Sequence, residues 1–307
     1  MAPISVMPDY LGLVIWNLIN TMPLFFAVKL LNIEDKKKAL ILWIILMELV
    51  TSLQNCQSNG LYAAMFILTF ALMERDKGCW AALVVVLAMY IKLFGAAAGI
   101  LFIFYPRKTR FLLYLVIWFI VIGLLPLLVV SVKQLLFLYG SWYNLLTRDA
   151  VNLVGLSVMG ISKVWFGLIL PNTIAMIIGL MFLLAPLIKI REYGNSCFRH
   201  MFLCSLLIWI IIFNYKAESP MFIIAVVGIA VWYMIQDKSV LNNILLWLTL
   251  ILTSFSAADL FPIYLRTHFI KPYLLKAVPC FIVWVVIQCQ LWFGTDKTSV
   301  KRLSNPL

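Results

Sequence analysis

Long apolar segments separated by short polar turns constrain this chain more than any other feature. They cover approximately residues 10–31, 39–53, 61–73, 79–104, 111–131, 167–188, 201–213, 221–235, 240–255 and 273–293. The chain is 64% hydrophobic and 12% charged, whereas soluble domains average about 45–50% apolar and about 25% charged residues. A full span needs about 20 apolar residues, and shorter segments can cross where they end at a protein-lined cavity. We therefore predict an all-α, polytopic integral membrane protein.

Basic residues predict how the segments are oriented. Cytoplasmic loops of membrane proteins are enriched in Lys and Arg, and such residues cluster at 36–38, 75–77, 107–110, 189–191 and 238 and in the tail 294–307. Segment 79–104 joins two of these clusters, so we expect a hairpin with its apex near 91–95. The result is one transmembrane domain over 1–307 with about ten to eleven membrane helices. The net charge of +12 then reflects topology, and we expect no nucleic-acid partner.

This topology places several polar segments on the outer face of the membrane. They are the turn 54–60, the apex of the hairpin, the turn 214–220 and the loop 256–272. Segment 132–166 alternates apolar and polar residues and is expected to form amphipathic helices along the outer surface.

Four amide side chains and one lysine are the first candidate site residues. Gln54, Asn55, Gln57 and Asn59 lie between two apolar segments, where an unpaired amide is costly, and amides both donate to and accept from sugar hydroxyls. Lys92 lies inside an apolar stretch and could bind a phosphate. An ordinary polar turn, and a lysine that reaches the headgroups, remain open as alternatives.

The later outer segments carry further candidate residues. Lys216 could bind a phosphate, and Glu218 could accept a proton or bind a sugar hydroxyl. The loop that follows brings Asp259, Arg266 and His268 to the same face. A solvated charged turn and an interfacial loop are the alternatives for these two segments.

Metal and triad chemistry have no sequence support. The six cysteines are scattered, the two histidines are far apart, and no Ser-His-Asp order or Gly-rich phosphate loop occurs. We predict no metal and no cofactor.

Several short stretches resemble glycosyltransferase family 87 of the GT-C superfamily. The residues that carry the resemblance are Gln-Ser-Asn-Gly-Leu at 57–61, Glu-Arg-Asp-Lys at 74–77, Ile-Lys-Leu-Phe at 91–94, Asp-Tyr-Leu-Gly at 9–12, Trp-Asn-Leu-Ile-Asn at 16–20, Ser-Val-Met-Gly at 157–160 and the turn 214–220. The resemblance extends over nearly the whole chain.

The resemblance implies a multi-span GT-C-like helical bundle with an extracytoplasmic active site in a bacterial plasma membrane. The donor would be a hexose, typically mannose, on a polyprenyl phosphate, and the acceptor a glycan or glycolipid. Catalysis would be metal-independent and inverting, with a carboxylate base and with basic residues at the leaving phosphate.

One departure from the family concerns the catalytic base. The family's catalytic aspartate lies in a first outer loop that would precede residue 1. We therefore expect either a chain truncated at its N-terminus and inactive by itself, or another base such as Glu218 or Asp259. The rival functions are a lipid-linked-sugar transporter or flippase, and a non-catalytic protein that binds polyprenyl lipid.

Overall fold

A computed structural model describes residues 6–148, 155–257 and 261–294 of the chain. Its regular structure is helical throughout these residues, and no β-strand occurs in them. The all-α prediction is therefore confirmed. Asp259, part of segment 132–166 and nearly all of the tail lie outside the described residues.

Twelve α-helices of nine or more residues form within the described parts. They are α1 (Asp9–Lys29), α2 (Asp35–Gln54), α3 (Asn59–Glu74), α4 (Gly78–Ile91), α5 (Lys108–Leu124), α6 (Val132–Arg148), α7 (Val158–Phe166), α8 (Asn172–Leu184), α9 (Ser196–Ile212), α10 (Phe222–Ile235), α11 (Val240–Leu248) and α12 (Val278–Phe293). Helix α4 is followed by a 3-10 helix, Leu93–Phe104, which we call the 3-10 arm, and α11 continues into a π-helix, Thr249–Ser254.

Polar side chains define the start of several helices. Ser157 accepts a hydrogen bond from the backbone N–H of Gly160, and Asn195 accepts one from Cys197. These caps satisfy amide groups that have no partner within α7 and α9. They explain why both helices begin at residues of low helix propensity.

Helices α3, α9 and α10 form the centre of the bundle. Helix α10 is buried along almost its whole length, and α9 packs against both α10 and α12. Gly228 permits the close approach of α10 to α9, because a Cβ atom there would lie 2.9 Å from the carbonyl oxygen of Cys204. Helices α1, α2 and α4 pack around this centre.

The outer helices present apolar side chains to their surroundings. In the described residues, two helices are long and apolar enough to cross a membrane by length and composition, Asp9–Lys29 and Lys108–Leu128. Eight further apolar helices are shorter. Leu113 is 57% exposed and Val116 is 56% exposed on α5, and apolar surface of this extent is typical of contact with lipid or partners.

Residues 78–105 reverse direction at Lys92. The Lys92 backbone is extended (φ −144°, ψ 129°) and separates α4 from the 3-10 arm. At the other end, the Tyr105 hydroxyl donates a 2.7 Å hydrogen bond to Oδ1 of Asp76, two residues before α4. The two ends of this segment therefore lie side by side.

Candidate functional site

A cavity of about 970 Å³ lies where the α2–α3 turn, the turn at Lys92 and the α9–α10 turn meet. Its polar and charged lining includes Gln57, Ser58, Lys92, Asn214, Lys216 and Glu218. Its apolar lining includes Trp16, Leu93, Phe94, Met176, Trp209 and Phe213. A cavity with apolar walls and a few converging polar groups is the usual form of a ligand site.

The α2–α3 turn is fixed by a left-handed residue and by a tryptophan from α1. Cys56 adopts φ +51°, and the Gln57 N–H donates a 3.1 Å hydrogen bond to the Ser52 carbonyl, which ends α2. Nε1 of Trp16 donates to the Cys56 carbonyl at 2.9 Å. These contacts turn the chain so that Gln57 and Ser58 reach the cavity.

The α9–α10 turn is held by a side-chain contact within the turn and by a main-chain contact from Gly155. Oδ1 of Asn214 accepts from the Lys216 N–H at 2.9 Å, and the Gly155 N–H donates to the Tyr215 carbonyl at 2.7 Å. Pro220 lies at the start of a single 3-10 turn that leads into α10. Glu218 is extended and exposed at the cavity.

Four side chains form a continuous hydrogen-bonded relay from a cation to an anion. Nζ of Lys92 donates to Oδ1 of Asn59 at 2.8 Å, and Nδ2 of Asn59 donates to Oε1 of Gln57 at 2.6 Å. Nε2 of Gln57 then donates to Oε2 of Glu218 at 3.1 Å. The ammonium requires an amide oxygen and the carboxylate requires an amide N–H, so the two charges fix both amide orientations.

The cavity carries a small net positive charge. Its charged lining residues are Lys92, Lys216 and Glu218, which give two positive charges and one negative charge, a formal total of +1. Nζ of Lys216 also lies 5.7 Å from the centre of the Tyr215 ring. A monoanion such as a phosphodiester would be attracted to such a site.

The model of glycosyltransferase family 87 matches residues 1–213 of the chain. That match covers more than half of the 307 residues. The chain belongs to glycosyltransferase family 87. It is therefore a membrane glycosyltransferase, in keeping with its exposed apolar helices. No curated protein and no solved structure matches the chain.

The family match contains three of the four relay residues. Gln57, Asn59 and Lys92 lie within the matched residues 1–213. Lys216 and Glu218 lie just after the end of the match. The cavity of this family 87 protein is therefore formed by the matched part together with the turn that comes next.

Three of the four candidate amides lie outside the cavity lining. Asn59 is fully buried and contacts Lys92 and Gln57 behind the cavity wall.

Gln54 and Asn55 are exposed at the end of α2, and Nδ2 of Asn55 donates to the Thr51 carbonyl at 2.8 Å. The chain reverses direction at Cys56, so Gln54 and Asn55 lie before the turn that brings Gln57 to the cavity. Substrate binding by these two residues stays a prediction.

The late-loop candidates also lie away from the cavity. Arg266 and His268 belong to the π-helix Arg266–Ile270 and are not among the cavity-lining residues. The His268 ring stacks on Tyr264 with 4.4 Å between ring centres. Asp259 is outside the described residues, so its proposed catalytic role is untested.

Metal ligation was not predicted from the sequence. In the described ranges, no group of three or more His, Cys, Asp or Glu side chains is close enough to hold a metal ion. The charged groups available at the cavity are the two lysines and Glu218.

Sequence reasoning missed the aromatic cavity lining and one buried ion pair. Trp16, Trp209 and Phe213 line the cavity, but in an apolar chain an aromatic residue carries no distinguishing signal.

Nζ of Lys276 lies 2.7 Å from Oε1 of Glu48, and both side chains are almost fully buried. Glu48 and Lys276 both lie within predicted apolar segments, 39–53 and 273–293. A charge in such a segment was the available signal, and it was used for Lys92 alone.

Proposed function

We propose that the chain transfers a hexose, with mannose as the expected sugar, from a polyprenyl-phosphate donor to a glycan or glycolipid acceptor. The reaction takes place at the extracytoplasmic face of a bacterial plasma membrane, with bilayer lipid, donor and acceptor as its partners. The single observation that carries this proposal is the cavity in which the relay from Lys92 to Glu218 lies beside apolar walls.

The composition of the cavity supports a lipid-linked donor. A polyprenyl-phosphate sugar combines an apolar chain, one phosphodiester charge and a hydroxyl-rich headgroup. The apolar lining is complementary to the polyprenyl chain, and the lysines are complementary to the phosphodiester charge. The amide side chains are complementary to the hydroxyl-rich headgroup. Each part of the donor thus has a complementary surface in one cavity.

Glu218 is our candidate for the catalytic base. Its carboxylate takes the proton from the acceptor hydroxyl while that oxygen attacks C1 of the sugar. The C1–oxygen bond to the phosphate breaks, and its electron pair leaves with the polyprenyl phosphate. Attack from the face opposite the leaving group inverts the configuration at C1.

Lys92 and Lys216 are our candidates for stabilising the leaving phosphate. The phosphate is negatively charged both in the donor and in the leaving group, so a nearby ammonium group stabilises it in the ground state and in the transition state alike. Gln57 holds Glu218 by a hydrogen bond, so the base and the phosphate site are linked through one relay.

The experiment that tests the proposal is a donor comparison on purified protein in lipid nanodiscs. Radiolabelled decaprenyl-phosphate mannose, decaprenyl-phosphate glucose and GDP-mannose are offered with a panel of mannose-terminated glycolipids. We expect transfer from a polyprenyl-phosphate sugar and none from the nucleotide sugar. Binding of the lipid donors without any transfer would instead assign the chain as a non-catalytic polyprenyl-lipid-binding protein.

A further inference from the structure

Helix α3 directs two side chains at the turn that carries Lys92. Asn59 and Tyr62 are three residues apart, so they lie on one face of the helix. Asn59 accepts a hydrogen bond from the Lys92 ammonium, and Tyr62 reaches the Lys92 main chain. The side chain and the backbone of one lysine are thus held by one face of α3.

The Tyr62 hydroxyl joins the two helical segments on either side of Lys92. It donates to the Ala88 carbonyl at 2.6 Å and also contacts the Lys92 carbonyl. The Lys92 N–H donates to the Ala88 carbonyl at 3.0 Å, and the Gly95 N–H donates to the Lys92 carbonyl at 2.8 Å. The hydroxyl therefore completes the hydrogen bonding where α4 ends and the 3-10 arm begins.

The Tyr62 ring contributes a second set of contacts to the same lysine. Its centre lies 5.7 Å from Nζ of Lys92 and 4.8 Å from the centre of the Phe94 ring. A cation at this distance from an aromatic face is attracted by the ring. Tyr62 is fully buried, whereas Lys92 and Phe94 line the cavity, so the ring supports the lysine from the side away from the cavity.

Gly95 leaves room for the hydroxyl. A Cβ atom at this position would collide with the Tyr62 hydroxyl and would lie 2.6 Å from the Ala88 carbonyl oxygen. The close packing of Tyr62, Ala88 and Gly95 gives the Lys92 backbone one fixed path through the turn.

We infer that Tyr62 is a positioning residue that aims the Lys92 ammonium at the phosphate of a polyprenyl-phosphate ligand. The inference rests on the proposed function, because it assigns Lys92 to phosphate binding. Tyr62 itself does not line the cavity, so its effect on the ligand passes through Lys92.

The test compares decaprenyl phosphate binding with sugar transfer. Binding is followed by intrinsic tryptophan fluorescence, since Trp16 and Trp209 line the cavity. Tyr62→Phe removes the hydroxyl and keeps the ring. We expect the Kd for decaprenyl phosphate and the KM for the donor to rise about threefold to tenfold, with kcat changed less than about twofold.

A double-mutant cycle separates positioning from general stabilisation. In a Lys92→Met background, Tyr62→Phe should change the Kd by less than about twofold, because the ammonium that Tyr62 positions is absent. Tyr193→Phe is the matched control, since its hydroxyl also donates to a backbone carbonyl, that of Leu187, at 2.6 Å. It should leave both constants unchanged.

Three results would overturn the inference. They are an unchanged Kd in Tyr62→Phe, an equal loss with or without Lys92, and a wild-type protein that does not bind decaprenyl phosphate. If the wild-type protein binds decaprenyl phosphate tightly but transfers no sugar, the proposed enzyme function is refuted. The role of Tyr62 is then still tested by the Kd for decaprenyl phosphate in Tyr62→Phe. If Tyr62→Phe is unstable, faster amide hydrogen exchange confined to residues 92–95 supports the positioning role, and exchange that rises throughout α3 contradicts it.

Discussion

Nε2 of Gln57 lies 3.1 Å from Oε2 of Glu218, although 161 residues separate them in the chain. This contact joins the α2–α3 turn to the turn that follows α9. It is the last link of the relay that begins at Lys92, so the groups proposed for the phosphate and for the base are held in one network.

Glu218→Gln tests the catalytic base. The glutamine can still accept a hydrogen bond from Gln57, but it cannot take a proton from an acceptor hydroxyl. We expect kcat for sugar transfer to fall by about 10²–10⁴-fold, with the KM for the donor changed little. Initial rates with radiolabelled lipid-linked mannose measure both constants.

Glu192→Gln is the matched control for this substitution. Glu192 also accepts a 3.1 Å hydrogen bond from a side-chain amide, that of Asn195, but it does not line the cavity. Its kcat should remain that of the wild type. If Glu218→Gln retains full turnover, the base is another group, and Asp259→Asn becomes the next variant to assay.

Lys92→Met tests the phosphate site. The substitution keeps most of the side-chain length and removes the charge. A hydrogen bond to a charged group contributes about 1.5–3 kcal/mol, so we expect the KM for the polyprenyl-phosphate donor to rise about tenfold to a hundredfold. Lys133→Met, at an exposed position at the start of α6, should leave the KM unchanged. A KM that is equal in the two variants would remove Lys92 from the donor site.

Gly95→Ala and Gly140→Ala form a pair that tests the packing at the turn. A Cβ atom at Gly95 would meet Tyr62 and Ala88, whereas nothing lies within 4 Å of one at Gly140. We expect Gly95→Ala to destabilise the protein by about 1–3 kcal/mol. Gly140→Ala, inside α6, should stabilise it by about 0.5–1 kcal/mol. Thermal unfolding in detergent gives the order of the two variants, and the reverse order would contradict the packing at Gly95.

The sequence predicted those parts of the site in which polarity stands out against an apolar chain. Gln57, Asn59 and Lys92 were identified because polar groups are costly among apolar segments. The structure brings all three together with Glu218. The apolar segments likewise predicted an all-α fold and located most helices to within a few residues.

The remaining features depend on tertiary geometry that no local pattern records. Tyr62 acts on backbone carbonyls that converge only after the chain turns at Lys92. Lys276 was not singled out, because it lies near the start of the predicted segment 273–293, next to the polar loop 256–272. Its burial arises from packing against Glu48, 228 residues earlier in the chain.

The ion pair between Glu48 and Lys276 provides the last prediction. The 2.7 Å contact joins α2 to the segment before α12, and Nζ of Lys276 also lies 5.3 Å from the centre of the Phe222 ring at the start of α10. Removing one partner leaves the other charge buried without compensation, which costs about 3–5 kcal/mol. Replacing both partners by apolar residues of similar size avoids that cost.

We therefore expect Lys276→Met to be far less stable than the double variant Glu48→Leu/Lys276→Met. The double variant should recover most of the wild-type free energy of unfolding, measured by SDS titration of the detergent-solubilised protein. Lys38→Met is the control, since it removes a pair with Asp35 in which the Asp35 side chain is 94% exposed, and such pairs contribute at most about 1 kcal/mol. Equal losses in Lys276→Met and Lys38→Met would show that the Glu48 carboxylate gains little from its partner. A double variant less stable than Lys276→Met would instead show that Glu48 is required for reasons other than the pair.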